Sequence, residues 1–280
     1  MKQLKHSNST KLVKNDILGV GVTNGTKEEV LEYIVSKLQI TGDTLQIVTP
    51  NPEIIVYAAK HPRFKTLVNQ AQISLPDGVG VLLAGLFLGK PFRERIAGVD
   101  FMEALCQESA IRGWKVGLLG AKPGVALTAS KRLVEKYPEL KISFATHELD
   151  QGKYLESSIL NREKNYEKTQ KHVPDTRYQI PDTTILFVAF GFPKQEEWIA
   201  EHLSCEAGSR SARPPVRLAM GVGGAFDYIS GNIPRAPFII RSIGLEWLYR
   251  LIRQPWRIKR QLALLEFIWL VIKQLVVSSQ

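Results

Sequence analysis

The chain has 280 residues, 44% of them apolar, which suffices for one large domain or one domain with an appendage and excludes a wholly disordered protein. A formal net charge of +10 calls for an anionic partner: nucleic acid, a membrane surface or a phosphorylated small molecule. The two cysteines, Cys106 and Cys205, lie in no CxxC pattern and read as reduced, inert thiols.

Residues 1–16 are basic with no apolar core behind them, so they read as disordered and not as a signal peptide. From 17 to 234, two kinds of segment alternate. Helical spacing marks Lys27–Leu38, Val125–Lys136 and Lys194–Leu203. Apolar, β-branched runs predict strands at Leu45–Thr49, Gln72–Leu75, Lys115–Leu119, Ile142–Ala145, Ile185–Phe190 and Val216–Met220. The expected fold is therefore α/β, a Rossmann-like parallel sheet flanked by helices. The polar segments 150–182 and 204–215 read as surface insertions.

Residues 235–280 differ in character. Between Arg235 and Lys273 stand eight basic and two acidic residues, interleaved with Trp247, Tyr249, Trp256 and Trp269. This predicts a basic, amphipathic helical appendage, divided in two by Pro255. No apolar run reaches the ~20 residues needed to span a bilayer. Leu262–Val277, interrupted by Glu266 and Lys273, fits a helix lying in a membrane interface, where anionic lipid would attract the basic residues. The expected location is the cytoplasm, peripheral on the inner face of a membrane.

Polar and glycine-rich residues collect at the ends of the predicted strands. After the first core strand comes Thr49-Pro50-Asn51-Pro52, where Thr49 and Asn51 suit a polar ligand, or Thr49 caps the helix that follows. Asp77, in Leu75-Pro76-Asp77-Gly78, is placed for an N-cap or for a general base. Arg93 and Arg95 precede Gly98. Arg93 reads as a solvated charge, whereas Arg95 enters an apolar segment and suits a diphosphate. Glycine-bearing turns recur at Gly120-Ala121-Lys122-Pro123-Gly124, at Gly191 and at Gly223-Gly224, the last followed by Asp227. Three such turns suggest one extended, nucleotide-like anion across the sheet edge. Arg250 and Arg253, three apart, share a helical face, and Arg257 would join them but for Pro255.

No Walker A sequence, DxD pair or metal-spaced histidine occurs in the chain, so neither metal nor cofactor is expected. Arginines and backbone amides would then stabilise a leaving diphosphate. Two rival readings predict other signals. An NAD-dependent oxidoreductase needs GxGxxG after its first strand, and the nearest match, Gly19 to Gly25, is misspaced. A nucleic-acid-binding module would not concentrate its charge in a tail rich in leucine and tryptophan, so no nucleic acid is expected. A homo-oligomer is compatible with the sequence.

The motifs TPNPE, LPDGVGV, RIAGVD, LLGAKPG, VAFGFPKQEEWI, GVGGAFDYISGNIPRAP and GLEWLYRLIRQPWRIKRQ occur in this order. In this the chain resembles the WecG/TagA/CpsF glycosyltransferases, glycosyltransferase family 26. The resemblance implies inverting, metal-independent transfer of an N-acetylhexosamine, of the N-acetylmannosamine type, from a UDP-sugar to a polyprenyl-diphosphate-linked GlcNAc. It implies that Asp77 is the base, that Thr49 and Asn51 line the acceptor and sugar site, and that Arg95 and Gln195 stand near the sugar and diphosphate. It further implies that Asp227 contacts the nucleobase and that Arg250, Arg253 and Arg257 come from an appendage that closes over the pocket and docks on the membrane. Where many relatives have alanine the chain has Phe192, which is expected to narrow the donor pocket.

Overall fold

The computed structural model describes residues 12–40, 44–148, 180–203, 216–242, 244, 246–253 and 258–278. Nearly all of the 150–182 insertion, the 204–215 insertion, Cys205 and Arg257 lie outside these residues.

The chain opens with an antiparallel hairpin, β1 (Lys14–Ile17) and β2 (Val20–Thr23), turned at Leu18 and Gly19 with φ of 55° and 82°. Positive φ at both central residues matches the twist of the flanking strands. Lys14–Asp16 thus belong to a strand, which corrects the expected disordered stretch of 1–16. Ile17, Val20 and Val22 alternate with polar neighbours and bury one face of the hairpin. Gly19 and Gly21 consequently sit in a hairpin and not in a strand-to-helix turn, so the weak dinucleotide match has no structural counterpart.

Six parallel strands form the main sheet: β3 (Leu45–Val48), β4 (Ile73–Ser74), β5 (Lys115–Gly120), β6 (Lys141–Thr146), β7 (Ile185–Ala189) and β8 (Leu218–Gly221). Their spatial order is β4-β3-β8-β7-β5-β6. The inner strands β7 and β8 are buried at every position, which explains their continuous apolar runs. Helices α1 (Lys27–Ile40), α2 (Pro52–Lys60), α3 (Pro62–Gln70), α4 (Val79–Phe87), α5 (Gly98–Arg112), α6 (Val125–Lys136), α7 (Lys194–Leu203) and α8 (Ala225–Ile229) complete the core. The α/β prediction holds. Cys106 on α5 is fully buried, and burial pushes its thiol up, as an inert cysteine requires.

The appendage comprises α9 (Phe238–Ser242), α10 (Glu246–Arg253) and α11 (Ile258–Ser278). Helix α10 ends at Arg253 and α11 begins at Ile258, and the expected break at Pro255 lies outside the described residues. Helix α11 packs on the core: Phe267 and Val271 are buried in one cluster with Ile54, Ile55 and Val81, and Lys60 pairs with Glu266 at 2.6 Å. Its other face exposes Leu262, Leu265, Ile268, Trp269, Ile272 and Val276. Among the described residues no helix is long and apolar enough to cross a membrane.

Two glycines permit this packing. Gly244, with φ of 77°, lies against Val79, and a methyl there would overlap its side chain. A methyl on Gly80 would stand 2.8 Å from Pro52 Cγ and 3.6 Å from Leu264 Cδ1. Gly244→Ala is expected to cost about 1–3 kcal/mol through overpacking and an unfavourable φ. Thermal unfolding measures the loss, and proteolysis should begin within 235–280.

Candidate active site

Parallel pairing sends the carboxyl end of every core strand to one edge of the sheet, where ligands bind in such folds. In spatial order that edge presents the Leu75–Asp77 segment after β4, Thr49 after β3, Gly221–Gly224 after β8, Gly191 after β7 and Gly120 after β5. Residues up to 175 positions apart in sequence thus form one row.

Asp77 anchors one end of this row. Its Oδ2 accepts from the Gly98 N–H, the first residue of α5, at 3.5 Å. The cap of the helix that follows Asp77 is Gly78, with φ of 97°, so Asp77 is not an N-cap there. A methyl on Gly98 would stand 3.2 Å from Thr49 Cγ2 and 3.6 Å from Asp77 Oδ2, so the bare glycine lets these two side chains converge. Burial pushes the Asp77 carboxyl up to about 6, against the opposing pull of Arg95 and of the Gly98 N–H, while Glu246 and Asp100 push it further up. Asn51, and not Thr49, caps α2: its Oδ1 accepts from the Ile54 N–H at 3.0 Å.

Arg95 is tied to the appendage. Its Nη1 donates to the Arg241 carbonyl at 3.0 Å, and its Nη2 lies 3.6 Å from Glu246 Oε2. Arg235 joins the same cluster, 2.5 Å from Asp100 and 3.5 Å from Glu246 Oε1. Burial disfavours ionisation of Asp100, but the Arg235 hydrogen bond and charge outweigh it and hold the carboxyl below the usual range. Arg93, as read, makes an exposed pair with Glu29 at 2.6 Å.

The middle of the row is built on Gln195. This buried amide accepts from the Gly223 N–H at 2.9 Å and donates to Glu196 Oε1 at 2.8 Å, fixing the turn after β8 from beneath. A methyl on Gly221 would stand 2.8 Å from Gln195 Nε2. Gln195 therefore shapes the turn in this structure. Above the turn lies Arg250: its guanidinium stacks on Tyr228 at 4.8 Å, and a methyl on Gly224 would stand 2.6 Å from its Nη2. Asp227 Oδ2 is near the same point, at 3.8 Å. At the far end, the Gly120 turn hugs β7 through Ala121 N–H to Ala189 O at 2.9 Å, leaving Lys122 and Gly124 exposed before α6.

One expectation changes. Arg253 is exposed, beside Tyr249, and does not join Arg250 over the turn. Phe192 packs edge-on against Tyr57 and Phe64, at 5.0 and 5.4 Å, and lines a cleft of about 290 Å³ between α2 and α11. It belongs to an aromatic cluster on the α2–α3 layer. Asp100, Arg235 and Glu246 were missed because each lies inside a quoted motif without a local pattern that names its partner. Glu196 was missed beside Gln195, since only burial distinguishes it from its exposed neighbour Glu197.

Glu196 is 1% exposed and its Oε2 has no hydrogen-bond partner among the described residues. Burial pushes its carboxyl up to about 7. The folded state therefore binds the proton more tightly than the unfolded chain, and stability falls as pH rises from the unfolded value towards 7. Glu196→Gln should remove this slope. Relative to the wild type, the variant should gain on the order of 2–3 kcal/mol between pH 5 and pH 8 in denaturant titrations.

The chain matches the model of the Glycosyl transferase WecG/TagA/CpsF family over residues 15–280. It is 34% identical over 270 residues to the N-acetylglucosaminyldiphosphoundecaprenol N-acetyl-beta-D-mannosaminyltransferase of Staphylococcus aureus strain MRSA252, covering 96% of this chain and 95% of that protein. The proteins of the same name from strains MW2 and NCTC 8325 match to the same extent. With the family matched along nearly its whole length and its motifs gathered on one sheet edge, the chain belongs to the WecG/TagA/CpsF family and is a glycosyltransferase.

Proposed function

We propose that the enzyme moves N-acetylmannosamine from a UDP donor to a polyprenyl-diphosphate-linked GlcNAc, with inversion and without a metal, in building a bacterial cell-surface polysaccharide such as a teichoic acid. The observation that carries this reading is Asp77, a carboxylate with raised proton affinity, set beside Thr49 and Arg95 at the carboxyl edge of the sheet. The names of the curated relatives support the two sugars and the lipid diphosphate.

In this mechanism ionised Asp77 takes the proton of the acceptor hydroxyl. The hydroxyl oxygen attacks the anomeric carbon from the face opposite the diphosphate, and the bond to UDP breaks with inversion. A base with a pKa near 6 is ionised at neutral pH yet still basic enough to share the proton as the new bond forms. Arg95, Arg250 and the backbone N–H groups of the glycine turns meet the charge that develops on the leaving diphosphate. Asn51 lines the acceptor side, while Gly120, Lys122, Gly191, Gly223, Gly224 and Asp227 contact the nucleotide. Arg253 and Arg257 complete the basic appendage.

The same reading has the appendage dock on the inner face of the membrane. Its support is the exposed apolar face of α11 and the neighbouring exposed Leu83, Leu86 and Phe87 of α4, the helix that begins two residues after Asp77. Such surfaces suit the acyl boundary, and each basic residue near anionic headgroups adds ~1 kcal/mol.

Asp77→Asn is expected to lower transfer by roughly 10²–10⁴-fold while UDP still protects the protein from thermal unfolding. Because the raised pKa makes the ionised form costly, this variant should also be about 2–3 kcal/mol more stable than the wild type at pH 8, and less so at pH 4. In the wild type, kcat/KM should rise with pH through about 6. Transfer by Asp77→Asn at near wild-type rate would remove the base. Full-length Leu265→Glu/Ile272→Glu should lose binding to anionic liposomes yet keep its melting temperature, and undiminished binding would exclude docking through α11.

A further inference from the structure

Helix α10 carries Glu246 and Arg250 four residues apart, hence on one face. Arg250 reaches the turn after β8, and Glu246 reaches the Asp77 end of the row. The Glu246 carboxylate divides between two guanidiniums, one from the segment before α5 and one from the start of the appendage, with Oε2 3.6 Å from Arg95 Nη2 and Oε1 3.5 Å from Arg235 Nε. Arg235 passes the connection to Asp100 in the first turn of α5, the helix whose first N–H reaches Asp77. Both Glu246 and Arg235 are about four-fifths buried at the side chain, so these charges are poorly screened.

We propose that Glu246 is a positioning residue for the transfer: from the appendage it holds the Arg95 and Arg235 guanidiniums and so sets where Arg95 stands relative to the Asp77 carboxylate. The argument rests on Asp77 being the base. A guanidinium free to settle on that carboxylate would lower its basicity and would itself be withdrawn from the diphosphate. Glu246 competes with Asp77 for Arg95 and prevents both losses. The groups facing Asp77 are Arg95, the Gly98 N–H and Asp100 from α5, and Glu246 from α10, so Glu246 is the one the appendage supplies. An α10 seated on the core thus completes the site at two points, through Glu246 and through Arg250.

The test compares full-length Glu246→Gln, Glu246→Asp and Asp77→Asn across pH, with a UDP-sugar and a lipid-diphosphate-GlcNAc acceptor. Glu246→Gln should move the acid limb of kcat/KM down by about half a pH unit or more, and lower kcat at pH 8 by roughly ten- to a hundredfold. Glu246→Asp, which keeps the charge, should return the limb towards the wild-type position and reports on the same limb even where the Gln variant folds poorly. An acid limb unmoved in Glu246→Gln, or a loss of kcat equal at every pH and equal in the Asp variant, overturns the proposal and leaves Glu246 a structural ion pair. Asp77→Asn separates the two ideas: substantial activity there overturns the base, whereas an inactive Asp77→Asn with an unmoved limb in Glu246→Gln overturns only the role of Glu246.

Discussion

The arrangement depends on the burial of one carboxylate. Asp77 is held where desolvation opposes its charge, and among the described residues the Arg95 guanidinium and the first N–H of α5 offset that cost. Everything near it follows from keeping a costly charge usable. Gly98 lacks a side chain because Thr49 and Asp77 meet above it. Gly78 takes the left-handed conformation that lets the chain turn from β4 into α4. Arg95 is restrained from the far side by Arg241 and Glu246, so that it neutralises Asp77 only in part.

These contacts tie the appendage to the candidate site. Phe267 and Val271 are buried in the core, Gly244 packs on Val79, and α10 delivers one acidic and one basic side chain to different points on the sheet edge. Pre-positioned charged groups of this kind need little reorganisation to meet a developing charge, as the proposed transfer requires. The apolar surface that α11 leaves exposed belongs to the same appendage, so the surface proposed to meet lipid and the charged cluster lie on neighbouring helices of the chain.

Much of this was legible in the chain. The runs LQIV, KVGLL, ILFVA and LAMG are strands because inner strands of a parallel sheet are buried on both faces, and that requirement writes itself as continuous apolar residues. Glycines at the strand ends marked the ligand edge. The hairpin at Lys14–Thr23 was harder to read, since two four-residue strands carry too short a period to separate from a terminal coil. The packing of Phe192 on Tyr57 and Phe64 was not legible, because adjacency to a glycine turn says nothing about which layer the ring packs into.

The sequence by itself determined the α/β class, the amphipathic appendage, the family and the candidacy of Asp77, because periodicity, composition and ordered motifs are local properties of the chain. Only the tertiary structure decided that Asn51 is the cap, that Gln195 props a turn, that Arg250 and not Arg253 covers it, and that Glu246 stands between Arg95 and Arg235. Those are contacts between residues as much as 151 positions apart, and a carboxylate's partner and proton affinity are set by burial and by charges that only folding brings near.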